Sequence, residues 1–436
     1  MKTSRRPFSA VEKWMLALTL LAVVGAFVWT RFQAKQLRLW KMPEESSGYS
    51  AQISPNKDIV AFTYMRSSYG ASTLPSPGGW AQAYAAELRD TEGAPLSPLQ
   101  APSPNVSWLT HPIFSPDGAY VALIYSDNEL QKVRKHDAVA GKHVAVWSSA
   151  TGRIIWKARY ADVKENASGY TVQWTPDGKN LIVDGDWVRV MDAWTGKRLR
   201  TLAQAFYIKT DCVLSPDGKR IVTINEGKST PQSEYVGPKL TIVRDLAGRV
   251  LARLPGGGTE QAFWTRDGRM LLQILPKKIV AWSGDAKRLL WSLPIQNARS
   301  MTTSKKSDKI AWVSSRERAG CKGNPDECTE TSTVHVLDLA TRRILWQQKV
   351  ADYVMYTRFV TDDERVFAVT REGDQNKVNS LEAGHTFTLL NAATGQIAQS
   401  TKLPGYWSAS FFALDKERAL LQTTRTFALW QIEPLR

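Results

Sequence analysis

The chain has 436 residues, a length far beyond a minimal core, and 22% of them are charged. Its formal net charge is +16, yet the loops mix signs, as where Asp127, Glu129 and Asp137 accompany Lys132, Arg134 and Lys135. No helix-turn-helix, zinc-finger or RNA-binding signature is present, so charge pattern and motif together speak against a nucleic-acid partner.

In chain order, residues 1–13 are a short basic tail with Lys2, Arg5, Arg6 and Lys13. Residues 14–30 follow without a charge, near the short limit for a membrane span, with Trp14 and Trp29 placed as interfacial anchors. A transmembrane anchor is expected here. A cleaved signal peptide is the alternative, but Phe27-Val-Trp-Thr-Arg-Phe32 offers no convincing small-residue cut site. Basic residues flank both ends, so charge alone does not set the orientation. Residues 31–35 read as a linker and 36–436 as one repeating domain.

Within that domain a strand, a short turn and another strand recur. The clearest turns are Phe114-Ser-Pro-Asp-Gly118, Trp174-Thr-Pro-Asp-Gly178, Leu214-Ser-Pro-Asp-Gly218 and Trp264-Thr-Arg-Asp-Gly268. Weaker copies start at Ser54, Ser304, Thr361 and Asp415. Pro pre-sets φ, Asp accepts backbone hydrogen bonds and Gly tolerates the left-handed exit. A second signature follows each copy, as in Val144-Ala-Val-Trp-Ser-Ser-Ala-Thr-Gly-Arg-Ile-Ile-Trp156 and Val336-Leu-Asp-Leu-Ala-Thr-Arg-Arg-Ile-Leu-Trp346. Two turns per unit imply four antiparallel strands, which is a propeller blade.

This pattern resembles the WD-repeat-like propeller family that includes the periplasmic propeller of the Tol-Pal system. The Asp-x-x-Thr-Gly-x-x-x-Trp half is similar to quinoprotein-type propeller repeats. The resemblance spans about residues 36–436 and implies an all-β propeller while leaving activity open. It brings no cofactor ligand set to these positions, so no cofactor is expected. Eight turn copies predict eight blades, with seven as the alternative. The last unit lacks room for an outer strand, and Gln36–Pro43 matches the outer strand Lys287–Pro294 with Trp40 and Trp291 in register. That segment is expected to complete the last blade and pair its open edge.

Long insertions fall between second and third strands, at Arg66 to Trp80, Ser126 to Lys142, Asn225 to Pro238, Ser314 to Thr331 and Arg371 to Gly384. They should open on one face, the expected binding face, with Tyr69, Trp80, Arg134, Lys135, His136, Tyr235, Arg316, Arg318 and Arg371 as candidate contacts. The opposite face carries the tight turns and basic residues such as Lys57, Lys197, Arg198, Arg249, Arg288 and Arg343, and is expected to sit toward anionic lipid headgroups. Cys321 and Cys328 share one loop and are a disulfide candidate, which would require an oxidising compartment. Cys212 reads as a core residue, and a zinc site built on Cys321, Cys328 and His335 lacks a fourth ligand.

Chemistry is sparse. Gly227-Lys-Ser229 lacks the upstream Gly of a phosphate loop, and no Gly-x-Ser-x-Gly elbow occurs. His143, His335 and His385 fall near the beginnings of third strands at unequal offsets, a poor basis for a ring of metal ligands. The expectation is a single-pass protein of the bacterial inner membrane with a periplasmic propeller. It would act as a non-enzymatic scaffold for a protein, peptide or envelope component. Two alternatives are a hydrolase or lyase with a site at the channel mouth, and a cytoplasm-facing scaffold.

Overall fold

A computed structural model describes residues 37–40, 46–68, 81–103, 106–127, 141–161, 171–184, 187–204, 212–229, 235–255, 259, 261–295, 298–304, 306–317, 329–351, 353–360, 363–371, 384–404, 409–414, 417–423 and 427–433. Their strands form eight antiparallel sheets. Sheets of consecutive strands make blade 1 (46–98), blade 2 (106–161), blade 3 (171–204), blade 4 (212–254), blade 5 (261–294), blade 6 (298–351) and blade 7 (353–404). Blade 8 joins three late strands, Ala409–Ala413, Arg418–Thr423 and Phe427–Gln431, to Leu37–Leu39. The fold is an eight-bladed β-propeller. All four weak turn copies head real blades, so the seven-bladed alternative fails.

Eight apolar clusters hold the ring together, and each spans two neighbouring blades. Ile182, Val190 and Leu202 of blade 3 meet Cys212 and Ile221 of blade 4, for example, and Phe367 and Phe387 of blade 7 meet Phe411 and Trp430 of blade 8. The seam between blades 8 and 1 is built the same way, from Leu414 and Leu420 against Val60, Phe62 and Trp40. A blade therefore buries both faces only inside a closed ring. Each large side chain so buried is worth about 1.5–3 kcal/mol.

The Ser-Pro-Asp-Gly turn works as its residues dictate. Ser115 Oγ donates to Asp117 Oδ1 at 2.5 Å and accepts from Tyr120 N at 3.0 Å, while Gly118 sits at φ 76°. Thr175 and Asp177, and Thr265 and Asp267, repeat the bond at 2.6 and 2.7 Å. The hydroxyls of Ser115 and Thr175 hold the Asp117 and Asp177 carboxyls below the usual aspartate range. Blade 6 has no Asp at this place in its own turn. Asp363 of blade 7 reaches across instead, accepting from Ser304 Oγ at 2.5 Å, from Ser307 N at 3.1 Å and from Lys306 N.

The Thr-Gly half of the repeat is an inter-blade lock. Trp156, on the outer strand of blade 2, donates its indole N–H to Ala193 O in blade 3 at 2.8 Å and lies against Gly196. A Cβ at Gly196 would stand 2.5 Å from the Trp156 ring, and one at Gly395 would stand 2.6 Å from Trp346. Glycine is required twice over at these positions, by φ of 68° and 76° and by the ring overhead. Trp40 covers Gly93 of blade 1 in the same manner. The segment that completes blade 8 thus also locks blade 8 to blade 1.

One blade departs from the four-strand expectation. The inner strand of blade 2 is split into Val106–Leu109 and Ile113–Phe114, both paired with Tyr120–Asp127. Pro112 stands in the gap and has no N–H to give the ladder, so the strand breaks there.

Candidate functional site: the loop face and the blade 4–5 groove

Strand directions sort the connections onto two faces. The tight turns open on one face, and the second-to-third-strand connections open on the other. The connections of blades 1, 2, 4, 6 and 7 cross residues 69–80, 128–140, 230–234, 318–328 and 372–383, whereas those of blades 3, 5 and 8 are short. Part of the inserted sequence prolongs the ladder. In blade 4 the pairing continues through Glu226 with Leu240 to Ser229 with Tyr235. In blade 6 it runs through Arg316 with Thr331 to Glu317 with Thr329.

Of the expected contact residues, Arg316 is exposed at the loop-face end of blade 6. Tyr235 and Arg371 take loop-end positions opposite Ser229 and Tyr353, and their side chains lie outside the described structure. Tyr69, Trp80, Arg134, Lys135, His136, Arg318, Cys321 and Cys328 also lie outside the described residues, as does the expected anchor at 14–30. Among the described residues no helix is long and apolar enough to cross a membrane.

Between the tall hairpins of blades 4 and 6, blade 5 turns back early. Pro276 and Lys277 alone join Met270–Leu275 to Lys278–Ser283. The notch continues as a groove of about 500 Å³ between blades 4 and 5, walled mainly by Pro255, Leu275, Val280, Trp282 and Leu289. Lys277 and Lys278, both exposed, stand at its loop-face mouth. That volume and apolar character suit a ligand side chain or a small molecule.

A buried polar chain stiffens the wall. Gln273 is fully buried in an otherwise apolar strand, so its amide must be satisfied inside the protein. Its Nε2 donates to Thr259 Oγ1 at 2.8 Å and Pro255 O at 3.3 Å, and its Oε1 accepts from Trp282 Nε1 at 3.0 Å. Thr259 and Thr241 hydroxyls meet at 2.7 Å. The Trp282 ring is therefore fixed at the groove before any ligand arrives.

The histidines do packing work. His335 stacks on Trp312 with ring centroids 4.7 Å apart, and its Nε2 meets Ser314 Oγ at 2.7 Å. Burial lowers its pKa to about 4, which keeps the ring neutral at ordinary pH. His143 stacks on Tyr125 at 5.0 Å, and His385 is fully buried in blade 7. Cys212 is buried, and its Sγ donates to Asp184 Oδ2 at 3.2 Å. Among the described residues no three His, Cys, Asp or Glu side chains gather where a metal ion could sit. Among the described residues, those lining the groove carry no carboxylate, imidazole or thiol.

Sequence reasoning passed over the groove because it sought long loops, whereas the groove exists where a loop is short. Two signals were present: Gln273 inside Met270-Leu-Leu-Gln-Ile-Leu275, and Lys277-Lys278 on a tight hairpin.

No protein-family model matches the chain, and no curated protein sequence matches it. Solved structures do. The chain is similar to the crystal structure of the eukaryotic initiation factor at 14% identity and a TM-score of 0.51, covering 91% of this chain and 93% of that one. It is also similar to the C-terminal WD40 domain of Sif2 at 11% identity and a TM-score of 0.55, covering 91% and 99%. The likeness is one of fold. At these identities it establishes a WD40-like propeller and nothing finer.

Proposed function

We propose that this protein is a membrane-tethered, non-enzymatic scaffold that binds an extended segment of a partner protein or envelope component at its loop face. The observation that carries the reading is the groove between blades 4 and 5, apolar along its walls and cationic at its mouth. An apolar side chain of the segment fills the space over Val280 and Trp282, and an acidic residue beside it meets Lys277 and Lys278. The strand edges and pockets of such a site recognise sequence without chemistry. The tether is residues 14–30, and the propeller stands in the bacterial periplasm. Support for a tether comes from chain direction. Leu37 pairs with Trp430 and Leu39 with Ala428, so this strand starts at the turn face, on the side opposite the groove's mouth.

A peptide library displayed against the full chain in detergent should select segments with an apolar residue beside Asp or Glu. The double variant Lys277→Glu, Lys278→Glu should bind the selected peptides at least about tenfold more weakly, a loss of about 1.4 kcal/mol. Unchanged binding by that variant would remove the groove from the mechanism. The compartment has its own test. Alkylation of the protein taken directly from cells should leave Cys321 and Cys328 unmodified until a reductant is added, and immediate modification of both would remove the periplasmic argument.

A further inference from the structure

The turn-face rim is not uniform around the ring. On blades 3 to 6 an exposed Arg directly precedes an exposed aliphatic residue at the start of the outer strand: Arg198-Leu199, Arg249-Val250, Arg288-Leu289 and Arg343-Ile344. The aliphatic partners are large and well exposed, at 46%, 40%, 53% and 47%. Exposed Trp194 joins them from the neighbouring turn. Blade 7 has the same exposed aliphatic residue, Ile397, but Gln396 precedes it. In blade 1 Pro95 precedes exposed Leu96, and in blade 2 exposed Arg153 precedes half-buried Ile154, with Ile155 the exposed aliphatic residue. The turns repeat this division. Lys and Arg outnumber Asp and Glu in the turns of each of blades 3 to 6 and in none of the other four.

The arc on blades 3 to 6 is therefore net cationic and apolar together, whereas the turns of the other four blades carry no net positive charge, Arg153 of blade 2 being matched by Asp117. We infer that the arc on blades 3 to 6 docks onto an anionic lipid bilayer. Two features favour lipid over a nucleic acid or an acidic protein. Aliphatic side chains beside arginines match an interface where acyl chains lie under anionic headgroups. The aliphatic residues are also the first or second of their strands, so they stand within about 7 Å of the turns, inside the depth that interfacial groups reach. The second feature is position. The chain enters blade 8 from this same face, and in an eight-membered ring blade 8 stands opposite blade 4. Tether and arc then hold opposite rims, and the turn face lies against the membrane with the groove's mouth at Lys277 and Lys278 pointing away and its Leu289 end nearest the lipid. The choice of face rests on the tethered reading above.

The test uses the full chain in nanodiscs of phosphatidylcholine alone and of phosphatidylcholine with phosphatidylglycerol, read by hydrogen exchange. With anionic lipid, residues 192–200, 245–251, 283–290 and 338–346 should exchange several-fold more slowly, residues 391–398 should not change, and high salt should abolish the difference. The variant Arg198→Gln, Arg249→Gln, Arg288→Gln, Arg343→Gln, which copies the natural Gln396 onto exposed positions, should return these segments to the neutral-lipid rate. Gln396→Arg should extend protection to blade 7. Equal protection in both lipids, equal protection at 391–398, or none while the chain stays in the disc would overturn the arc and leave the tether standing. Capture only by anionic discs, with the arc protected, would sustain the arc and refute the tether. Failure to associate with either disc refutes both.

Discussion

At the turn face, Ser115, Thr175, Ser215 and Thr265 each bond the Asp two residues on, and glycines at φ between 66° and 76° close the turns. At the loop face, connections between the same strands range from the Pro276-Lys277 hairpin of blade 5 to the stretch at 128–140 in blade 2. The first face is specified by contacts a few residues apart. The second is shaped by how far neighbouring hairpins rise. A repeat array keeps its scaffold on one side and spends its variation on the other.

That contrast can be broken by attacking the repetitive side, where the largest stability losses should occur. Trp40→Ala removes the ring that covers Gly93 and fills the seam between blades 8 and 1. It should cost about 3–5 kcal/mol in chemical denaturation, as deletions of buried aromatics do. If Trp40→Ala unfolds at the wild-type midpoint, the N-terminal strand is no structural closure.

Gly196→Ala should follow, at about 2–4 kcal/mol, from a left-handed backbone and a methyl group set against the Trp156 ring. Asp363→Ala is expected to cost about 1–3 kcal/mol, because it leaves Ser304 and the Lys306 and Ser307 amides short of their acceptor. The wild-type melting temperature would contradict either. Lys277→Glu with Lys278→Glu should move stability by less than about 0.5 kcal/mol, since both lie on the exposed loop face. A large loss there would mean the two faces do not divide labour in this way.

Acid titration separates the faces by another route. His335 has a folded pKa of about 4 against an ordinary 6.5, so the unfolded chain binds its proton first. Stability should fall as pH drops from 6.5 toward 4, and His335→Phe, which keeps a ring on Trp312, should flatten that limb. The turn carboxylates act lower. Asp117, Asp177 and Asp285 are held below 3.8 chiefly by the hydroxyls of Ser115, Thr175 and Ser283. Their contribution is present above that value and is lost as pH falls below it. Melting curves recorded from pH 7 to 3 check both limbs.

The fold was legible because its determinants are local. Asp and Gly within five residues define a turn, and the match of Gln36–Pro43 to Lys287–Pro294 exposed the ring closure. The loop positions were legible for the same reason, as gaps in a regular count. Neither the groove nor the arc can be read this way. Gln273 becomes a strut only when Thr259 stands beside it, and Pro255 must come from the connection that leaves blade 4 to wall the space. The Arg–aliphatic pairs look alike one at a time and gain meaning only once four of them are seen to occupy consecutive blades. The borrowed Asp363 was equally hidden, since Ser304 lies in another repeat.

The pairing of Leu37–Leu39 with Phe427–Gln431 sets an order of events during synthesis. Among the described strands, Leu37–Leu39 is made before blades 1 to 7 and its partner after them, so the ring stays open until Phe427–Gln431 is made. A chain cut short before Phe427 leaves Leu37–Leu39 without its partner strand and blade 8 with an unpaired edge. Such an edge invites a second incomplete copy or a protease. Closure of the ring is thus decided at a single seam, where Leu37–Leu39 meets Phe427–Gln431.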